Sequence, residues 1–133
     1  MEKDISHGER STDLGVVRIN NDAITTIASI AALEVRGVCR MGGGLARTLC
    51  GMFSNKGART KGVKIRSREG ELKLTVSVVV DYGVDIPRIA DEVQENVRRA
   101  VEKMAGIAPQ EVDVTIEGVQ RLSQPERKTE KSQ

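Results

Sequence analysis

The stretch Leu72-Lys73-Leu74-Thr75-Val76-Ser77-Val78-Val79-Val80-Asp81-Tyr82-Gly83-Val84-Asp85-Ile86-Pro87 decides the fold. Side chains alternate across a strand, so Leu72, Leu74, Val76, Val78 and Val80 share one side while Lys73, Thr75, Ser77 and Asp81 share the other. One face of this strand is therefore buried and the other meets water. The strand breaks at Asp81-Tyr82-Gly83. Asp85 is placed to cap a helix, and Pro87 sits in its first turn, where a missing N–H costs nothing. From there Ile86, Ile89, Ala90, Val93, Val97, Ala100, Val101 and Met104 recur every three or four residues, an apolar stripe that packs on the sheet. Asp91, Glu95, Arg98 and Lys103 face outward. Gly106 and Pro109 stop the helix, and Val112, Val114 and Ile116, alternating with Glu111, Asp113, Thr115 and Glu117, form the next strand.

Upstream, Leu14 to Ile19 reads as a short strand, and Asn20-Asn21-Asp22 supplies capping side chains for a helix from Ala23 to Val35. Ile24, Ile27, Ala28, Ala31 and Val35 make its main stripe. Ile30 and Leu33 widen that stripe, which predicts burial on more than one side. Gly37 ends the helix. Val63 and Ile65 alternate with Lys64, Arg66 and Arg68, and Glu69-Gly70 turns this strand into the one at Leu72. The order β-α-β-β-α-β predicts an α+β fold: a two-layer sandwich with two helices on one face of a small mixed or antiparallel sheet. Both a split βαβ and a KH-like strand order satisfy it.

With 133 residues the chain holds one core, spanning residues 14–119 with a flexible glycine-rich basic loop at 37–62. Residues 1–13 and 120–133 are polar, charged and aperiodic, and are expected to be disordered tails. One Tyr, one Phe and no Trp leave the core to aliphatic side chains and provide few rings for stacking on nucleic-acid bases. No apolar run is long enough to span a bilayer, and Met1 to Asp13 lacks the apolar centre of a signal peptide, so a cytoplasmic location is expected. Cys39 and Cys50 are spaced unlike a redox pair or a zinc knuckle, and His7, the one histidine, lies in the tail. No metal or cofactor is expected, and the thiols are read as reduced and structural.

For catalysis, acids, bases or nucleophiles would have to converge. Asp81, Tyr82 and Asp85 at the strand-to-helix corner are the one polar cluster so placed, and turn and cap roles explain them, with Tyr82 burying its ring. Gly42-Gly43-Gly44 is followed by Leu45-Ala46-Arg47 in place of the Gly-Lys-Ser/Thr of a phosphate-binding loop. A flexible connection is the reading there. The chain is expected not to be an enzyme.

The charge is unevenly distributed. Net charge is +2, yet Gly37 to Arg68 carries Arg40, Arg47, Lys56, Arg59, Lys61, Lys64, Arg66 and Arg68 without one Asp or Glu, leaving 13 basic against 19 acidic residues elsewhere. Such segregation makes a local field that the net charge hides. Three roles compete: a solvated face, which includes neutralising Glu111, Asp113 and Glu117 on a nearby strand; a contact for an acidic protein or anionic membrane; and attraction to nucleic-acid phosphates. Within the segment Leu45, Leu49, Met52 and Phe53 recur at helical spacing. They make a short amphipathic helix that either folds over its own core or anchors on a partner or membrane.

Gly15-Val16-Val17-Arg18-Ile19 leading into an Ile-Ala-rich helix that ends at Glu34-Val35-Arg36-Gly37-Val38 resembles the start of alkaline shock protein (envelope stress response) domains. Val78-Val79-Val80-Asp81-Tyr82-Gly83-Val84-Asp85-Ile86-Pro87, Val93-Gln94-Glu95-Asn96-Val97 and Val112-Asp113-Val114-Thr115-Ile116-Glu117-Gly118-Val119 resemble the rest of that pattern, so the likeness runs from Leu14 to Val119. The resemblance implies a bacterial, non-enzymatic cytoplasmic protein of alkaline or cell-envelope stress, some relatives being held near the membrane by partner proteins. It brings no catalytic residues. The expected function is a protein-interaction module whose partner is a protein, membrane-anchored in one version, or a second copy. Its candidate contact residues are the eight basic residues above together with Leu45, Leu49, Met52 and Phe53. The alternative is a nucleic-acid-binding module using the basic loop and the KH-like layout.

Overall fold

The computed structural model describes residues 9–43, 62–68 and 70–121. Its elements are β1 (Glu9–Thr12), β2 (Gly15–Arg18), α1 (Asn21–Leu33), β3 (Val38–Met41), β4 (Val63–Arg68), β5 (Glu71–Asp81), α2 (Ile86–Ala105) and β6 (Glu111–Gln120). The fold is α+β.

Strand β5 is the spine. It pairs antiparallel with β4 from Arg68↔Glu71 to Val63↔Val76, and with β3 at Met41↔Val78 and Val38↔Val80. On its other side β6 runs parallel to it from Lys73↔Glu111 to Asp81↔Gln120. The sheet is therefore mixed. Strands β3 and β4 lie end to end along one side of β5, joined through Ser77: Gly42 N–H donates to the Ser77 carbonyl at 2.8 Å, and Ser77 N–H donates to the Gly62 carbonyl at 2.7 Å. The chain leaves the sheet after Gly42 and rejoins it at Gly62 at the same level of β5.

Both helices cover one face. Leu72, Leu74, Val76, Val78 and Val80 are at most 1% exposed, and they meet Ile89, Val93, Val97 and Val101 of α2 and Ile24, Ala28, Ala31 and Ala32 of α1. Helix α1 packs over β3, β4 and β5, and α2 over β6 and against α1. The alanines of α1 bring the two helices close enough for Asn96 Nδ2 to donate to the Ala31 carbonyl at 2.8 Å, satisfying an acceptor in the last turn of α1. Gln94 Nε2 does the same for the Val112 carbonyl at 3.0 Å. The caps follow from the residue types. Asn20 Oδ1 accepts from Asp22 N–H at 3.1 Å, Asp85 Oδ1 accepts from Arg88 N–H at 3.3 Å, and Gly106 closes α2 in the left-handed region at φ 76°.

Several expectations need correction. Glu9–Thr12, expected in a tail, forms a hairpin with β2, and this two-stranded sheet is separate from the four-stranded one. The polar run Glu-Arg-Ser-Thr has no buried side to advertise it. Val38–Met41, expected within the loop, is a strand whose alternation is hidden by a bulge at Cys39. The order is thus β-β-α-β-β-β-α-β. Ile30 and Leu33 are 52% and 44% exposed, so α1 is buried along one stripe only, and Met104 is 69% exposed past the end of the sheet-facing row. Tyr82 keeps its ring in solvent, at 73% exposed.

Candidate protein-contact surface

The face of the sheet opposite the helices carries the charge. On β4, Lys64, Arg66 and Arg68 alternate with Val63, Ile65 and Ser67, so the basic side chains stand together on the side away from the helices, all three exposed. They make no ion pair among the described residues. On β6, Glu111, Asp113 and Glu117 are likewise exposed. Between the two rows lie Lys73, Thr75 and Ser77 of β5. Neighbouring strands sit about 4.8 Å apart, so the β4 and β6 rows are roughly 10 Å from one another. Lys73 Nζ lies 3.9 Å from Glu111 Oε2, a loose exposed pair. Among the described residues the basic strand therefore does not directly neutralise the acidic one.

Higher on the same face two side chains reach across β5. Arg40 Nε donates to Gln120 Oε1 at 3.2 Å, over Val79, which is 5% exposed although it points away from the helices. Gly118 stands beside Val79 and leaves room for that span. Glu117 sits at a bulge in β6, where the register slips between Val78 and Val79, and a bulge re-aims a side chain. Its Oε1 accepts from Gly43 N–H at 3.1 Å, reaching over the small Ser77 to the point where the chain leaves the sheet.

Gly42 is fitted to this contact, since a Cβ there would lie 2.6 Å from Glu117 Oε1 and 3.0 Å from Ser77 Cβ. Its backbone is ordinary, so the constraint is space alone. Gly42→Ala should cost roughly 1–2 kcal/mol of stability by displacing the carboxylate, within the usual range for overpacking. Adding Glu117→Ala should recover most of that loss in a urea-melt double-mutant cycle, because the two groups occupy one space.

Cys39 is half-buried beside the Asp81 carboxylate. Burial pushes the thiol pKa above its ordinary value and the Asp81 carboxylate pushes the same way, while Arg40 partly offsets them. Only the thiolate attacks alkylating agents, so Cys39 should react slowly with iodoacetamide near pH 8 and speed up only at more alkaline pH. Asp81→Asn should move that rise to lower pH, as read by peptide mapping.

An open groove of about 400 Å³ lies between the end of α1 and α2, lined by Glu34, Arg36, Glu95, Asn96 and Arg99 among others. Arg99 is held by Glu95 at 3.3 Å and Asn96 by Ala31, so its polar groups serve the fold and do not converge on one point. Among the described residues no cluster of His, Cys, Asp or Glu is placed to hold a metal ion, and no helix is long and apolar enough to cross a membrane. Asp81, Tyr82 and Asp85 are respectively beside the Cys39 thiol, exposed, and capping α2.

Of the residues singled out in the sequence, Arg40, Lys64, Arg66 and Arg68 come together on the face away from the helices, with Arg40 on the part of the edge built by β3. Leu45, Arg47, Leu49, Met52, Phe53, Lys56, Arg59 and Lys61 lie outside the described residues. Sequence reasoning names Glu111, Asp113 and Glu117 as acidic neighbours of the basic segment but does not show that β5 separates the two rows on one face. The signal of that arrangement is the alternation of Glu111 and Asp113 with Val112 and Val114, which becomes meaningful once β4 and β6 are known to flank β5.

The Bacillus subtilis (strain 168) uncharacterized protein YqhY is 38% identical over 109 residues, covering 82% of this chain and 80% of that one. The same organism's YloU is 28% identical over 123 residues, covering 88% and 98%. The Streptococcus pyogenes serotype M6 protein Spy1614 is 26% identical over 110 residues, covering 82% and 91%. Among solved structures, a MamM CTD variant in its copper form superposes with a TM-score of 0.47 at 17% identity, over 74% of this chain and 98% of its own. The model of the alkaline shock protein 23 family, described as having a "cell envelope-related function", matches residues 9–121, from the first strand to the end of the last, and the chain belongs to that family.

Proposed function

We propose that this chain serves the family's cell envelope-related function as a protein-interaction module without chemistry of its own. It presents Lys64, Arg66 and Arg68, with Arg40 further along the same edge, to an acidic surface of a partner, and a membrane-anchored partner would hold it at the inner face of the membrane. The observation that carries this reading is the row on β4: three exposed cations at alternate positions on the sheet face away from the helices, with no ion pair among the described residues. The outer face of α2 is dressed differently. There Arg88–Glu92, Arg98–Glu95, Arg98–Glu102 and Arg99–Glu95 pair at 2.9 to 3.3 Å, the pattern of a helix that simply faces solvent. Complementary charge steers encounter and fixes register, and its effect weakens as salt screens it.

A nucleic-acid role has less support, since the exposed Tyr82 ring stands at the far end of β5 from the basic row. The test is co-purification of the tagged chain from the membrane and soluble fractions of its host, beside the triple variant Lys64→Glu, Arg66→Glu, Arg68→Glu. A specific partner should be lost at least tenfold in the variant and with rising salt. A partner retained in full, or replaced by nucleic acid that binds at low salt, would overturn the reading.

A further inference from the structure

The face of the sheet away from the helices is bipolar. Across the sheet the register places Arg66, Lys73 and Glu111 on one line and Lys64, Thr75 and Asp113 on the next, so one flank is cationic and the other anionic. On α2 opposite charges alternate and cancel locally, whereas here they are sorted onto strands on either side of β5. A face of this kind is complementary to itself.

We propose that a second copy of this chain docks on it face to face, with the two-fold axis parallel to β5. The charge layout selects that axis. A half-turn about a line along the strands brings the faces together, exchanges left for right and leaves position along the strand unchanged. Lys64 of each copy then opposes Asp113 of the other, and Arg66 opposes Glu111. A half-turn about a line across the strands sets β4 on β4 and β6 on β6, like charge on like. A two-fold normal to the sheet does not bring the faces together at all. Near the chosen axis Thr75 and Ser77 are small, and the one like-charge contact, Lys73 against Lys73 of the copy, is offset by each Lys73 lying 3.9 Å from its own Glu111. Strands of the two sheets run in nearly the same direction, as in aligned sheet packing.

The contact is small. Three strand widths by five or six residues give roughly 300 Å² on each copy, against about 800 Å² per partner in a standard interface. Association is accordingly weak and sensitive to salt.

This inference rests on the contact role of the β4 row and names one partner for it. The test is sedimentation velocity of the full chain from micromolar to millimolar concentration. At low salt the wild-type chain should shift toward dimer with concentration and return to monomer at high salt. Lys64→Glu with Arg66→Glu, and separately Glu111→Lys with Asp113→Lys, should each remain monomeric, while an equal mixture of the two associates, because every reversed pair is again opposite in sign. Arg88→Glu with Arg98→Glu makes the same charge change on α2 and should leave dimerisation within twofold of wild type. A wild-type chain that stays monomeric at low salt, a reversed variant that still dimerises, or a mixture that does not associate would overturn the inference. Glu111→Lys with Asp113→Lys keeps the basic row, so capture of an acidic partner by that variant separates failure of the dimer from failure of the proposed function.

Discussion

Leu74→Ala lowers the free energy of unfolding by about 3 kcal/mol, within the range of 2–5 for a buried leucine truncated in a packed core. Leu74 is 1% exposed at the middle of the spine strand, between Ile65 of β4 and Val112 of β6. Its neighbours come from strands on both sides and helices above, so no single segment can move in to fill the space. Leu33→Ala, at 44% exposed, removes the same atoms and should cost below about 1 kcal/mol, since little area returns to water. Urea denaturation of the two variants checks the contrast. Equal losses would mean that α1 packs with its other side inward.

Gly37→Ala should cost about 2–3 kcal/mol, from two additive causes. Gly37 turns the chain from α1 into β3 at φ 106°, where an L side chain is strained. A Cβ there would also stand 2.7 Å from Ile89 Cδ1 and 3.4 Å from Val84 Cγ1. Ile89 is fully buried and branched at Cβ, so its end has few places to go. The position matters beyond the helix end, because the Gly37 carbonyl accepts from Asp81 N–H at 2.9 Å and so closes the β3–β5 pairing. Ile89→Val in the same chain should relieve the clash and leave the backbone strain. Thermal melts of the single and double variants separate the two, and a Gly37→Ala protein as stable as wild type would contradict both.

The β5–α2–β6 unit was legible because each part has a clean period and explicit punctuation: Asp85 and Pro87 at one end of α2, Gly106 at the other, and Val alternating with polar residues on both strands. The losses occurred where that code breaks down. Ala23 to Leu33 contains no charged residue, so nothing in it distinguishes the buried Ile24 and Ala28 from the exposed Ile30. At β3 the bulge at Cys39 puts Val38 and Met41 on one side although they are three apart, which defeats a period of two. The hairpin strand β1 offers no apolar side. On the candidate surface, the basic alternation of Lys64, Arg66 and Arg68 could be read locally. Its relation to Glu111 and Asp113 depends on strand order, a long-range property that no window of sequence contains, and the bulge that aims Glu117 at Gly43 is equally non-local.

The proposed role of the β4 row is tested most directly in the living cell. A strain lacking this chain is supplied with either the wild type or the triple variant Lys64→Glu, Arg66→Glu, Arg68→Glu, at equal protein level and with matching melting temperatures, and growth is followed under alkaline and cell-wall-directed stress. Exposed charges on the face away from the helices contribute little to stability, so the variant should fold. The expected result is protection by the wild type and none by the variant. Full protection by the variant would show that the basic row of β4 is not the surface through which the protein acts.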